Sequence, residues 1–383
     1  MQSCLHNQKF LVVGGTQFIG RAIVERLLDE GALLILINRG KTKVPDSISQ
    51  NSRVKIIKCD RFRQRKRFRA LLRSHSPIKI VDLLAFSEPD VLDVIKSLKH
   101  GLSQYIFIST DSVFMATSRR FEGSDNADKA LLEEDACVPN DTARQKLRKK
   151  NRYQYRYGNG KFVCEQLLLK ANRRNELNVT ILRLPDVIGP NDNIGSFLEL
   201  QTDLIQRRSI NSKTMSPNGT ISLVFVSDVA QAIVLVSTCK SMSYVNGEIF
   251  HVTMDERISF KDLVLETSAV LGLELPKLNL NEENELVTVD CGAIDNSKIK
   301  SRLKFVPTSL REALEITCAW YASPRNRLHT KCLAQSTDSS SSSSDSDSDP
   351  GSDSDSDSDS GSDSDSGTDP DSSNDRKSLS DPT

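Results

Sequence analysis

The sequence predicts an α/β protein: a doubly wound parallel sheet, then a smaller C-terminal lobe and an acidic tail with no fold of its own. Three observations carry this. Between residues 9 and 110, short runs that are almost wholly apolar alternate with helix-length segments, as strands buried between two helical layers do. The 383 residues are 37% hydrophobic and 27% charged, enough to bury a sizeable core in one large or two fused domains. From Ser336 onward the composition collapses to Ser and Asp, centred on SDSDSDSDSGSDSDSG. Such a segment buries too little apolar surface to offset the entropy of ordering, so it is expected to be disordered.

The elements follow in order. KFLVV (9–13), ALLILI (32–37), VKII (54–57), IKIVDLL (78–84) and QYIFIS (104–109) are β-rich apolar runs of strand length. Segments 18–30, 62–73 and 88–100 between them carry helical spacing. A polar loop is expected over 115–145, then an amphipathic helix over 153–174 and a sixth strand, NVTILRL (178–184). Helices near 196–208 and 228–239, short strands near 221–226 and 248–253, and a last helical pattern ending at Tyr321 complete a more irregular second half.

Formal net charge is zero, but the zero hides an asymmetry. Ser336 to the end holds 14 acidic and 2 basic residues, leaving 37 acidic and 49 basic in 1–335. The eight cysteines are scattered, with no Cys-x-x-Cys and no zinc-ligand spacing, so they read as reduced thiols and no metal site is expected. The opening MQSCLHNQ has no apolar leader region, and no stretch reaches the ~20 apolar residues of a membrane span. A cytoplasmic location is expected, with the nucleus as the alternative. Tail serines flanked by acids resemble sites for acid-directed kinases, and phosphorylation would deepen the charge.

VVGGTQFIG (12–20) follows the first strand and opens a helix, the context a dinucleotide fingerprint requires. Gly14 permits the tight turn and Gly20 close helix–strand packing. The amides of Gly15, Thr16, Gln17, Phe18 and Ile19 would face a pyrophosphate. Gln17 stands where the pattern has its middle glycine. The second strand ends in INRGK (37–41), with Asn38 and Arg39 where an NAD site places a carboxylate. Loss of that carboxylate and gain of a cation favour NADP, with NAD as the alternative. These features make the first 185 residues, helix 153–174 included, a Rossmann-type dinucleotide-binding domain. Residues 186–335 are the expected substrate-binding domain, partly interwoven with the first, and 336–383 the tail.

Tyr157 lies four residues before Lys161. Alone this is a weak motif, equally two neighbours on a solvated helix face. An ordered set of four stretches decides for the catalytic reading: GGTQFIG; FISTDSVF (107–114); YGNGKFVCEQLLL (157–169); and LRLPDVIGPND (182–192). In this order they resemble the extended short-chain dehydrogenase/reductases, the NAD-dependent epimerase/dehydratase group, over most of 9–321. The resemblance implies Tyr157 as the acid/base, Lys161 as its partner and Thr110 on the same substrate oxygen. It places Asp60 at the adenine and Ala85 against the cofactor, although the CDRFR context of Asp60 serves equally as a helix cap. An ammonium near Tyr157 is expected to favour the phenolate. The substrate implied is a sugar or nucleotide-sugar hydroxyl, and the assembly a homodimer through the Tyr157 helix.

There are departures. Ser112 replaces the glutamate of the 4,6-dehydratases, which weighs against full dehydratase chemistry, and Phe114 replaces a usual tyrosine. The Gln17 loop with its NRGK strand end resembles an atypical branch that includes the chloroplast stem-loop RNA-binding proteins. An RNA- or polyanion-binding protein on the same scaffold is therefore the rival reading. Its support is RFRQRKRFRALLR (61–73) and the basic run 144–156 with its tyrosines, which could track phosphates and stack bases. Solvated helix faces are the plain alternative for both runs. Masking of the basic surface by the acidic tail is a further expectation.

Overall fold

A computed structural model describes residues 5–75, 78–98, 104–119, 130–150, 152–193, 195–206, 210–211, 220–274, 278–279 and 292–328. The Ser/Asp-rich tail and its expected disorder lie outside the described residues.

Residues 1–338 form one unit. The five predicted strands appear as β1 (Lys9–Val13), β2 (Leu33–Asn38), β3 (Val54–Lys58), β4 (Lys79–Asp82) and β5 (Gln104–Thr110). Together with Asn178–Leu184 and Glu248–His251 they make one seven-stranded sheet. Its order is Glu248–His251, Asn178–Leu184, β5, β4, β1, β2, β3, and every pairing is parallel. The last strand comes from the second half of the chain, so the sheet is shared between the two expected domains.

The helices are α1 (Phe18–Asp29), the single turn α2 (Asp46–Ser49), α3 (Arg65–His75), α4 (Glu88–Ile95), α5 (Asp141–Lys150) and α6 (Arg152–Arg173). Beyond them lie α7 (Ser196–Ile205), α8 (Val226–Thr238), α9 (Phe260–Val270), α10 (Ser297–Leu303) and α11 (Leu310–Ala322). On one face of the sheet Ile23, Val24 and Leu27 of α1 join Val229, Ile233 and Val236 of α8. On the other, Phe68 and Leu72 of α3, Val91 and Val94 of α4, and Cys164 and Leu168 of α6 form a second layer. A third cluster, outside the sheet, gathers Phe197, Phe260, Leu263, Leu310 and Leu314 from α7, α9 and α11.

Two boundaries move for physical reasons. The helix expected from residue 62 starts at Arg65, because Asp60 Oδ1 accepts the amides of Phe62 and Arg63 at 3.0 and 3.1 Å and holds a turn ahead of it. Strand β4 stops at Asp82 rather than 84, because the Asp82 carboxylate takes the Leu84 amide at 2.9 Å and bends the chain out of the sheet. The expected loop 115–145 holds a short antiparallel pair, Ser118–Arg119 with Ala136–Cys137, and a 3-10 turn at Glu133–Asp135, and it ends early, where Asp141 opens α5.

Candidate active site

The site lies along the carboxyl ends of β1, β2, β4 and β5, where parallel α/β sheets leave a crevice. Gly14 leaves β1 at φ +96°, a conformation that side chains disfavour. At Gly20 an added Cβ would stand 2.1 Å from the Gly14 carbonyl oxygen, so this glycine allows α1 to close on its own loop. Gln17 at the middle position is extended, with φ −135°. The strain falls on the next residue: Phe18 sits at φ +37°, costly for an aromatic residue. Its ring is buried with Ile188, Phe197 and Phe225 of the third cluster, which offsets the cost. The four glycine-loop neighbours Gly15, Thr16, Gln17 and Ile19 thus surround the start of a helix whose first-turn amides have no intrahelical partner.

Asn38 ends β2 and is 8% exposed. Its side-chain oxygen accepts the Gly40 amide at 2.9 Å, while its NH2 group is buried with no partner among the described residues. Arg39 beside it is exposed. Asp60 follows β3 with one oxygen spent on the local turn, which is the capping role. Ala85 is fully buried behind β4. The orphaned amide of Asn38 and the free guanidinium of Arg39 suit a phosphorylated ribose, and the Gly14 turn leaves room for backbone approach. The residues present therefore fit a dinucleotide.

Thr110 ends β5, and Tyr157 and Lys161 lie one turn apart on α6. Two glycines bring the helix there: a Cβ on Gly158 would meet the Ser112 carbonyl oxygen at 1.9 Å, and one on Gly160 the Phe86 carbonyl oxygen at 2.4 Å. The YGNGK spacing is thus a packing device as well as a chemical one. The Thr110 hydroxyl faces the Tyr157 phenol and favours its ionised form. Burial, with Asp111 next, outweighs it and pushes the phenol above the ordinary tyrosine value. The phenolate expected from the sequence is therefore not favoured in the bare protein. Lys161 is buried and donates to the Ile108 carbonyl at 2.8 Å, with the rings of Phe86 and Phe107 4.6 and 4.8 Å from its nitrogen. Burial pulls it down to about 8. Phe86, 39% exposed, also lies 6.3 Å from the Tyr157 ring.

Several residues of this constellation were not singled out as site residues in the sequence. Asp111 is buried behind Thr110, and its carboxyl is held well above the usual range, by burial first and by Asp186 next. Register explains the pairing: Thr110 lies opposite Leu184, so the two chains leave the sheet side by side. Arg183 and Glu165, each at most 1% exposed in side chain, pair at 2.7 Å, and the Ser109 hydroxyl donates to the same carboxylate at 2.6 Å. The buried pair ties β5, α6 and Asn178–Leu184 together. Its signal was present, an Arg in LRLPD and a Glu in GKFVCE, but spacing alone did not join them.

The basic run 61–73 is split: Arg61 is buried and Arg65 and Arg69 are half-buried, while Arg63, Lys66, Arg67 and Arg73 are exposed. Arg61 is buried, donates to both Asp82 oxygens at 2.6 Å and stacks on Phe68. Arg65 pairs with Asp90 and Asp93, and Arg69 with Asp93. Three of the run's seven cations are engaged by carboxylates of the same chain, and the other four are exposed. In the run 144–156 Tyr153 is 78% exposed among exposed Arg148, Arg152 and Arg156, while Tyr155 is buried.

A seven-stranded parallel sheet with a glycine turn after β1 and Thr110, Tyr157 and Lys161 at its carboxyl edge defines an extended short-chain dehydrogenase/reductase. The family profile for the NAD dependent epimerase/dehydratase family matches residues 10–251, and the chain belongs to that family. No curated protein matches the chain. Among solved structures it is similar to UDP-glucuronic acid 4-epimerase from Bacillus cereus, at 19% identity and TM-score 0.63, over 82% of this chain and 99% of that one. It is similar to dTDP-glucose 4,6-dehydratase from Bacillus anthracis str. Ames at 18% and 0.66, over 85% and 99%. UDP-N-acetylglucosamine 4-epimerase from Methanobrevibacter ruminantium M1 follows at 17% and 0.63, over 83% and 99%. At these identities the likeness is one of fold. No helix among the described residues is long and apolar enough to cross a membrane.

Proposed function

We propose that the protein is an NAD(P)-dependent epimerase or reductase acting on a hydroxyl of a sugar or nucleotide sugar through Thr110, Tyr157 and Lys161. The observation that carries this is the convergence of the Tyr157 phenol and the Thr110 hydroxyl at the carboxyl edge of the sheet, with the buried Lys161 one helical turn behind. The bound structures of similar fold are consistent with it: the Bacillus cereus enzyme was solved with UDP-glucuronic acid and NAD.

The loop Gly14–Gly20 would hold the pyrophosphate, Asn38 the adenosine ribose, Arg39 a 2′-phosphate, Asp60 and Ala85 the adenine end, and Lys161 the nicotinamide ribose. NADP is favoured over NAD on the Asn38–Arg39 pair. The nicotinamide, when bound, supplies hydride acceptance and return. Tyr157, protonated in the bare protein, can give its proton to a substrate oxygen when a carbonyl is reduced; to take a proton from a hydroxyl it must first release its own, and Thr110 orients that oxygen. For Lys161 to meet a ribose, the Phe86 ring turns aside and the bond to Ile108 is exchanged. Ser112 offers no carboxylate for elimination, so epimerisation or reduction is favoured over dehydration.

The test is a panel of nucleotide sugars with NADP and NAD. Tyr157→Phe keeps the ring and removes the hydroxyl; turnover should fall by ~10²–10⁴ with cofactor affinity little changed. Retained turnover would sink the assignment. A second reading, an RNA- or polyanion-binding protein, is favoured by the exposed Tyr153 among arginines on α5 and α6. Affinity for single-stranded RNA that falls steeply with salt, with no turnover of any sugar, would select it.

A further inference from the structure

At the other end of the sheet from Thr110 lies a second cavity, of about 390 Å³, lined by Lys9, Arg53, Lys55 and His75 over a floor that includes Ile35 and Ile78. Lys9 opens β1, Arg53 precedes β3, Lys55 is its second residue and His75 closes α3. All four therefore sit near the amino ends of parallel strands, while Asn38 and Thr110 sit at the carboxyl ends. A five-residue parallel strand spans about 16 Å, so this cavity is separate from the dinucleotide crevice.

Its charge is one-signed. Among the described residues no carboxylate lines it, and neither Lys9, Arg53 nor Lys55 is in an ion pair with any of them. This contrasts with the rest of α3, where Arg65 and Arg69 are answered by Asp90 and Asp93. The imidazole of His75 carries the mark of that imbalance: burial, then Lys55 and Lys9, push it below the ordinary histidine value. Three unanswered cations around a recess attract an anion, and low-dielectric walls strengthen the field there. The floor is apolar, and the volume is within the ~300–1,000 Å³ of small-molecule sites.

We propose that this cavity binds a small phosphate-bearing molecule of nucleotide size, its phosphates held by Lys9, Arg53 and Lys55 and its uncharged body resting on Ile35 and Ile78. A bare inorganic anion would satisfy the rim but leave the apolar floor wet, which is why the ligand carries a body. The site is independent of the catalytic reading above.

The experiment probes lysine reactivity on the full chain. An amine-acetylating reagent is applied with and without ADP, and labelling at each lysine is read by mass spectrometry. ADP should slow labelling of Lys9 and Lys55 at least fivefold, and Asn38→Ala, which removes the side chain assigned to the adenosine ribose in the crevice, should not change that protection. By calorimetry, Lys55→Gln and Arg53→Gln should each weaken this ADP site about tenfold or more, as loss of a charge-assisted hydrogen bond implies. Both residues are exposed, and an unchanged melting temperature checks the fold. Labelling of Lys9 and Lys55 indifferent to ADP overturns the site. Protection by inorganic phosphate that ADP does not match overturns the nucleotide-sized ligand. Protection that disappears with Asn38→Ala assigns the effect to the other end of the sheet and overturns the proposal.

Discussion

Lys161 shows what a buried ammonium costs a fold. Its ammonium is buried among Phe86, Phe107 and the Ile108 carbonyl, and is pulled from 10.5 to about 8. That displacement corresponds to a cost on the order of 3 kcal/mol. Because the folded value is lowered, the cost is fully present below about pH 8 and is relieved as pH rises toward 10.5. Lys161→Met should therefore raise the melting temperature of the cofactor-free protein at pH 7, with a smaller gain at pH 10, while abolishing turnover; a lowered melting temperature at pH 7 would refute the burial argument. Asp111 has the opposite sign of titration. Its raised carboxyl opposes folding increasingly as pH rises above the ordinary carboxylate value. Asp111→Asn should stabilise the protein at pH 7.5 relative to pH 4.5, read as the difference between two thermal melts. Arg39→Ala should weaken NADP by about 1.5–3 kcal/mol and leave NAD nearly unchanged, and calorimetry showing equal losses would remove the 2′-phosphate contact.

At the scale of the element, α6 is positioned by what it lacks. Gly158 and Gly160 let its backbone pass against the carbonyls of Ser112 and Phe86, and that approach sets Tyr157 beside Thr110. Gly158→Ala forces a Cβ into backbone that cannot yield, so α6 must shift away from β5. We expect a loss of about 1–3 kcal/mol, the usual cost of overpacking, and turnover falling with it; wild-type melting and turnover together would contradict the close approach. The Tyr-x-x-x-Lys spacing was legible in the sequence because helical geometry puts residues four apart on one face. The glycines were equally visible, but their reason was not, since the atoms they make room for belong to segments 46 and 74 residues away.

Across the whole molecule, Phe18 links the two halves. Its backbone is strained at φ +37° within the phosphate loop, while its ring is buried in the cluster formed by α7, α9 and α11. Phe18→Ala should cost about 3–5 kcal/mol in stability and weaken the dinucleotide as well, because the strained turn loses its anchor; normal dinucleotide affinity in a destabilised variant would separate the two roles. The sequence by itself determined the parallel sheet, its first six strands and the glycine turn, because apolar periodicity and motif spacing are local; Thr110, Tyr157 and Lys161 were singled out by resemblance to a family. At 61–73 it could not tell Arg61 from its exposed neighbours, because a guanidinium in a charged run looks the same whether it meets water or a buried Asp82. Only the tertiary structure decided that Glu248–His251 completes the sheet, that Arg183 pairs with Glu165, that Asp111 and Asp186 stand together, and that three cations at the far end of the sheet share one cavity. Each of these depends on parallel register or crossover packing, which brings together residues far apart in the chain and leaves no trace in their spacing.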